Sequence, residues 1–168
     1  MQSFTYSSFW KFTYRYGNLL ISLLLLLYIL PVALQLDKNL IFLLPFIISL
    51  ILLYFINKSY FTFYKLVPFL IEADEQKLVC KKFLFRDKIL TINYKDIESL
   101  TGGVFDGKYR GLMKVCDGKN KIFIGFFDRM KNSNKLVTLI LSKVDKKIYD
   151  EVITNLESSK IKPENKNK

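Results

Sequence analysis

The chain has 168 residues, 51% of them hydrophobic yet 24% charged, with 26 Lys/Arg against 15 Asp/Glu and no histidine. That length allows one modest domain plus a membrane anchor and little more. Without histidine, Ser-His-Asp and Cys-His triads, histidine general bases and Cys/His zinc sites are excluded, and a net charge of +11 directs attention to anionic partners.

The two kinds of residue are placed end to end. From Gly17 to Ile56 only Asp37 and Lys38 are charged, whereas residues 57–168 hold 23 Lys/Arg and 14 Asp/Glu, or +9 of the +11. Residues 1–16 form an aromatic and basic N-terminal segment, with Phe9, Trp10, Phe12, Tyr14 and Tyr16 around Lys11 and Arg15. Gly17–Leu36 is then a 20-residue run without a charge. As a helix it is about 30 Å long, the thickness of a bilayer's hydrocarbon core. A second apolar run, Leu40–Ile56, follows after only Asp37-Lys38-Asn39, so residues 17–57 are expected to form an antiparallel transmembrane hairpin. The first run is too long for a signal peptide, and no A-x-A cleavage site follows it.

Lys11 and Arg15 precede the first span and Lys58 and Lys65 follow the second, while the hairpin tip has one Lys beside one Asp. This bias predicts a multi-pass protein of the cell (cytoplasmic or inner) membrane with both termini cytoplasmic. Tyr54, Phe55, Tyr60, Phe61, Phe63 and Tyr64 would join the N-terminal aromatics in one interfacial belt. Pro31 and Pro45 each remove a backbone hydrogen bond and predict kinks. Ser22, Ser49 and Tyr28 are the polar groups expected at mid-membrane, which suits an anchor rather than a channel.

Residues 58–158 read as one soluble domain. Short apolar runs separated by turn residues predict strands at Leu66–Glu72, Leu78–Phe85, Ile89–Tyr94, Asp96–Thr101, Tyr109–Cys116 and Lys121–Phe127. Asp117-Gly-Lys-Asn120 is a hairpin turn between the last two. Ile122, Ile124 and Phe126 share one face of the final strand, and Leu90, Ile92 and Tyr94 share one face of an earlier one. Beyond Asn132-Ser133-Asn134, an N-cap candidate, Leu136, Leu139 and Ile140 form one helical stripe and Ile148, Val152 and Leu156 another. Residues 132–158 are compatible with one helix, two helices or a strand plus a helix. Residues 159–168 carry no apolar period and read as a disordered basic tail. Cys80 and Cys116 are 36 residues apart in strand-like segments and read as free, buried thiols.

Two segments carry a family resemblance: Phe69-Leu-Ile-Glu-Ala-Asp-Glu-Gln-Lys-Leu-Val-Cys80 and Ile89-Leu-Thr-Ile-Asn-Tyr-Lys-Asp-Ile-Glu-Ser-Leu100. Antiparallel strands closed by an amphipathic helix, with an aromatic ending one strand and an acid-Ile pair starting the next, resemble the membrane-anchored bacterial pleckstrin-homology-like (PH-like) proteins over about residues 17–158. The resemblance implies an α+β chain: a transmembrane hairpin followed by a PH-like antiparallel β-barrel or sandwich with a C-terminal helix. PH-like domains that bind phosphoinositides use basic residues around their first hairpin. Here that turn is Asp74-Glu75-Gln76, acidic at its tip. The basic residues crowd the next strand and turn instead, making Lys81, Lys82, Arg86 and Lys88 the candidate contact for an anionic surface or ligand, against the plainer reading of a solvated basic face.

No G-x-x-x-x-G-K-[ST] loop, D-x-D-x-D calcium loop or C-x-x-C pair is present. Residue type alone leaves a Ser-Lys or carboxylate-pair mechanism open, but no spacing favours one. The expectation is a non-enzyme with no metal or cofactor, acting as an anchored binding or scaffolding module. Two alternatives stand beside it: a small accessory or immunity-type protein that neutralises or modulates a protein partner, and a regulator that binds anionic lipid headgroups. The expected partners are membrane lipids and a protein of unknown identity, with nucleic acid disfavoured. The charge is equally readable as compositional drift in a Lys-, Ile- and Asn-rich chain.

Overall fold

The computed structural model describes residues 1–37, 39–83 and 87–161. The chain divides into two compact units, and the division departs from chain order. One unit is Ser8–Lys65; the other joins Met1–Ser7 to the chain from Leu66 onward.

The first unit is a helical hairpin. Helix α1 (Ser8–Leu34) is followed by a 3-10 turn (Leu40–Phe42) and helix α2 (Leu43–Tyr64). Away from the tip both helices extend beyond the charge-free segments 17–36 and 40–56, to Ser8 and Tyr64, because the flanking aromatic and basic residues are adequate helix formers. The Asn39 side chain caps the 3-10 turn, accepting a hydrogen bond from Ile41 N–H at 3.0 Å. Pro45 falls in the first turn of α2, where a missing N–H leaves no bond unmade. Its expected kink has no backbone bond to break, whereas Pro31 lies inside α1.

Only 6% of each apolar window is buried, so neither helix is packed into a core of this chain. Both are long and apolar enough to cross a membrane. They meet through a polar cluster that the sequence pattern does not pick out: Asn18 Nδ2 donates to Asn57 Oδ1 at 2.7 Å, and Asn57 Nδ2 lies 3.1 Å from Ser22 Oγ and 2.8 Å from Leu53 O. Nearer the open end, the Tyr60 hydroxyl sits 2.6 and 2.8 Å from the Tyr14 and Arg15 carbonyl oxygens.

Among the described residues the second unit is built on seven strands: β1 (Gln2–Thr5), β2 (Pro68–Ala73), β3 (Lys77–Phe83), β4 (Leu90–Asn93), β5 (Ile97–Thr101), β6 (Leu112–Asp117) and β7 (Ile122–Phe127). They form two antiparallel sheets, β1-β2-β3-β4 and β5-β6-β7, rather than a closed barrel. A 3-10 turn at Tyr94–Asp96 carries the chain from one sheet to the other. At the opposite edges Tyr6 bridges Met130, and Gly125 N–H donates to Leu66 O at 2.8 Å.

Strand β1 corrects the reading of residues 1–16 as one segment. Ser3-Phe4-Thr5-Tyr6 alternates, so Phe4 and Tyr6 are buried while their neighbours point outward. Thr5 pairs with Leu70 of β2. On the other side, Lys131 N–H donates to Thr5 O at 3.0 Å, and the Tyr6 hydroxyl accepts from Phe127 N–H at 2.8 Å. Residues 8–16 belong instead to α1.

The core gathers one face of every strand, including Ile71, Leu78, Ile92, Val115, Ile124 and Phe126. Ile122 is only half-buried, and Phe123 on the other face is 52% exposed. Two helices cover the core, which decides among the three options for residues 132–158. Helix α3 (Ser133–Leu141) buries Leu136, Val137 and Ile140, with Leu139 half-buried. Helix α4 (Lys146–Ile161) buries Ile148 and Val152. Asn132 precedes α3 in a left-handed conformation and makes no side-chain cap bond. Helix α4 takes in residues 159–161, the start of the predicted tail, and residues 162–168 lie outside the described residues. Gly107, at φ +70°, lets α4 approach the β5–β6 connection, since a Cβ there would lie 2.7 Å from the Ser159 side chain.

Candidate binding surface

Of the four basic residues singled out from the sequence, Lys81, Lys82 and Lys88 are among the described residues. Lys81 faces solvent from β3 and its Nζ lies 2.7 Å from Glu72 Oε2 on β2, a cross-strand pair. That ammonium is committed to a neighbour. Lys82 has φ +58°, a left-handed conformation that costs a non-glycine residue about 1 kcal/mol. It resets the strand's alternation: Leu78 and Cys80 are buried, and Phe83 replaces Lys82 as the next inward residue. The kink turns Lys82 into solvent at the mouth of the β3–β4 connection, where Lys88 is also exposed. Arg86 lies outside the described residues.

At the other end of β2 and β3 the turn is tightly made. Asp74 Oδ1 accepts from Gln76 N–H at 2.8 Å and Lys77 N–H at 2.9 Å. These two bonds hold its carboxyl below the ordinary Asp range. Glu75 Oε2 lies 2.7 Å from Lys143 Nζ, just beyond α3, and that contact lowers its pKa. Beside the turn is an open groove of about 480 Å³, lined by Glu75, Gln76, Asn93, Tyr94, Lys95, Asp96 and Lys143. Tyr94 forms its floor. The phenol is buried, its hydroxyl lies 3.3 Å from Asp74 O, and desolvation pushes its pKa up. Asn93 Nδ2 donates to Asp96 Oδ2 at 2.7 Å and stiffens one wall.

The groove offers donors and acceptors of both signs around an aromatic floor, which suits a polar or peptidic surface. Burial pushes the Cys80 thiol up to about 12, and burial also raises Cys116, so neither is a reactive thiolate at neutral pH. Sequence reasoning missed the groove because Glu75 and Lys143 are 68 residues apart; no local pattern joins them. No family model matches the chain, and no curated protein or solved structure matches it either.

Proposed function

We propose that the chain is a non-enzymatic binding or scaffolding module of PH-like fold, anchored in the cytoplasmic membrane by a two-span hairpin and working on its cytoplasmic side. One observation carries the reading: the hairpin is inserted between two paired strands. Thr5 pairs with Leu70 across α1 and α2, so the domain holds both ends of the helical unit. If α1 alone crossed a bilayer, β1 and β2 would lie on opposite sides and could not pair. Two spans return the chain to its starting side. Lys11, Arg15, Lys58 and Lys65 flank the hairpin on that side and favour the cytoplasm. Seven antiparallel strands in two sheets, followed by terminal helices, fit the PH-like resemblance. The mixed-charge groove around Tyr94 is the surface we assign to a protein partner.

The full chain should stay with carbonate-washed membranes, and a thiol introduced as Lys135→Cys should react only from the cytoplasmic face. Release by carbonate, or labelling from outside intact cells, overturns the anchor. A photo-cross-linker at Lys95, in the groove wall, should yield one discrete protein adduct in native membranes. Correctly inserted protein that gives no adduct rejects the binding role.

A further inference from the structure

The hydroxyl groups at mid-span are those of Ser22, Ser49 and Tyr28, and two of them have partners inside the hairpin. Ser22 Oγ lies 3.1 Å from Asn57 Nδ2, and Ser49 Oγ donates to the Pro45 carbonyl at 2.7 Å. Tyr28 has none. It is 54% exposed, and its hydroxyl makes no hydrogen bond among the described residues. Its position along the helix keeps it from water. Tyr28 lies about 16 Å from Gly17 and about 12 Å from Leu36 along the axis. Helical side chains lean toward the N-terminus, so the phenol is carried toward the middle of the span and away from the nearer tip. In hydrocarbon such a hydroxyl gives up its water bonds and gains nothing in return.

Pro31 adds a second open group beside it. Having no N–H, it leaves the Leu27 carbonyl without the donor four residues on. Leu27 and Tyr28 are adjacent, so an acceptor and a donor stand at one depth. Both lie away from the seam with α2. That seam is marked by Asn18, Ser22, Leu25, Ile29 and Val32, all buried or half-buried, with Asn18 and Ser22 reaching Asn57 of α2. One step round the helix, Ile21, Leu24, Tyr28, Pro31 and Gln35 repeat at the alternating three-and-four spacing of a helix-pairing stripe. All five are exposed.

We propose that this stripe pairs with the same stripe of a second copy of the chain, forming a parallel dimer within the bilayer, an assignment that rests on the membrane-anchored reading. Each copy brings one donor and one acceptor. Across a two-fold axis each Tyr28 hydroxyl donates to the Leu27 carbonyl of the other copy, and no polar group is left open. The contact is self-complementary, as an interface about a two-fold must be. Depth favours a second copy over an unrelated membrane helix. The same flank of Trp10, Lys11, Tyr14 and Arg15 sets the level of both copies, so their polar groups meet in register. An unrelated helix would need its own polar group at that level.

The test uses the purified full chain in phosphatidylcholine liposomes at several protein-to-lipid ratios, where no other protein is present. Leu24→Cys places a thiol on the stripe, and Leu26→Cys places one on another exposed side of α1. With a membrane-permeant oxidant, Leu24→Cys should give a disulfide-linked dimer above the background of the unsubstituted chain, which has Cys80 and Cys116. Leu26→Cys should not. Adding Tyr28→Phe to Leu24→Cys removes only the hydroxyl oxygen. An interhelical bond in a bilayer is worth roughly three-fold and the two-fold axis counts it twice, so the dimer should then need about ten times more protein per lipid. Pro31→Ala, which returns a donor to the Leu27 carbonyl, should act in the same direction. Equal cross-linking from both positions means random collision, and none from Leu24→Cys means a monomer; either overturns the pairing. So does a dimer indifferent to Tyr28→Phe. Chain that carbonate strips from the liposomes overturns the anchor itself, which keeps the two readings apart.

Discussion

The helical unit and the strand-rich unit use the same apolar side chains in opposite senses. Leu27 on α1 is 64% exposed and Leu78 on β3 is fully buried. In the strand-rich unit, alternation with period two sends one face inward and leaves the other polar. On the helices, apolar residues cover every side, so no rotation could hide them in a two-helix unit. The hairpin leaves its apolar side chains uncovered, whereas the domain buries its own. Polar groups follow the same division. In the hairpin, Asn18, Asn57 and Ser22 turn inward to each other, and in the domain Glu72 and Lys81 pair at the surface.

The largest expected effect tests which unit owns the first residues. Tyr6→Ala in the full chain should cost about 3–5 kcal/mol, since it empties a core position and strips the Phe127 N–H of its acceptor. Deleting residues 1–7 should unfold the domain. Denaturation in detergent, followed by near-ultraviolet dichroism, reads both; an unchanged midpoint would return β1 to the helical unit.

The contrast between faces is sharpest on β7. Ile124→Asp should cost about 4 kcal/mol by burying a charge, and Phe123→Asp, one residue away, should stay within about 0.5 kcal/mol. Equal losses would show that the strand has no inward face.

In the helical unit, Asn57→Leu should separate the polar contacts from the apolar packing. The expected loss is about 0.6–2 kcal/mol, measured as the force or detergent needed to part the helices. No loss would leave van der Waals packing as the sole glue.

The smallest effect is electrostatic. Asp74 and Glu75 are both held below their ordinary pKa values. A depressed native carboxyl adds stability that is present above the unfolded value, about 4, and fades as pH falls through the native one. Both groups are solvent-exposed, so the shift in the domain's acid midpoint should be slight and salt-sensitive. Glu75→Gln should remove part of it. A midpoint that rises with acid would contradict the sign.

Six of the seven strands were legible as short runs between turn residues, and the Asp117–Asn120 turn was legible because Asp117 both accepts from Asn120 N–H and holds its side chain. The seventh strand was masked by its context. Four residues beside an aromatic, basic stretch read as a membrane flank, although Phe4 and Tyr6 already showed the alternation. The candidate site was barely legible. Lys81, Lys82, Arg86 and Lys88 are close in sequence, but one of the four is paired and another sits on a kinked strand.

Amino-acid order alone determined the α+β class, the two apolar segments and the periods of strand and helix, because each depends on neighbours within one or two turns of chain. Tertiary structure alone decided that residues 1–7 join a domain resuming at Leu66, and that two sheets stand in place of a closed barrel. It also decided that Glu75 meets Lys143. Those facts rest on strand pairing and side-chain contact between residues tens of positions apart, where backbone hydrogen bonds, burial and charge choose the partner and no local pattern records it.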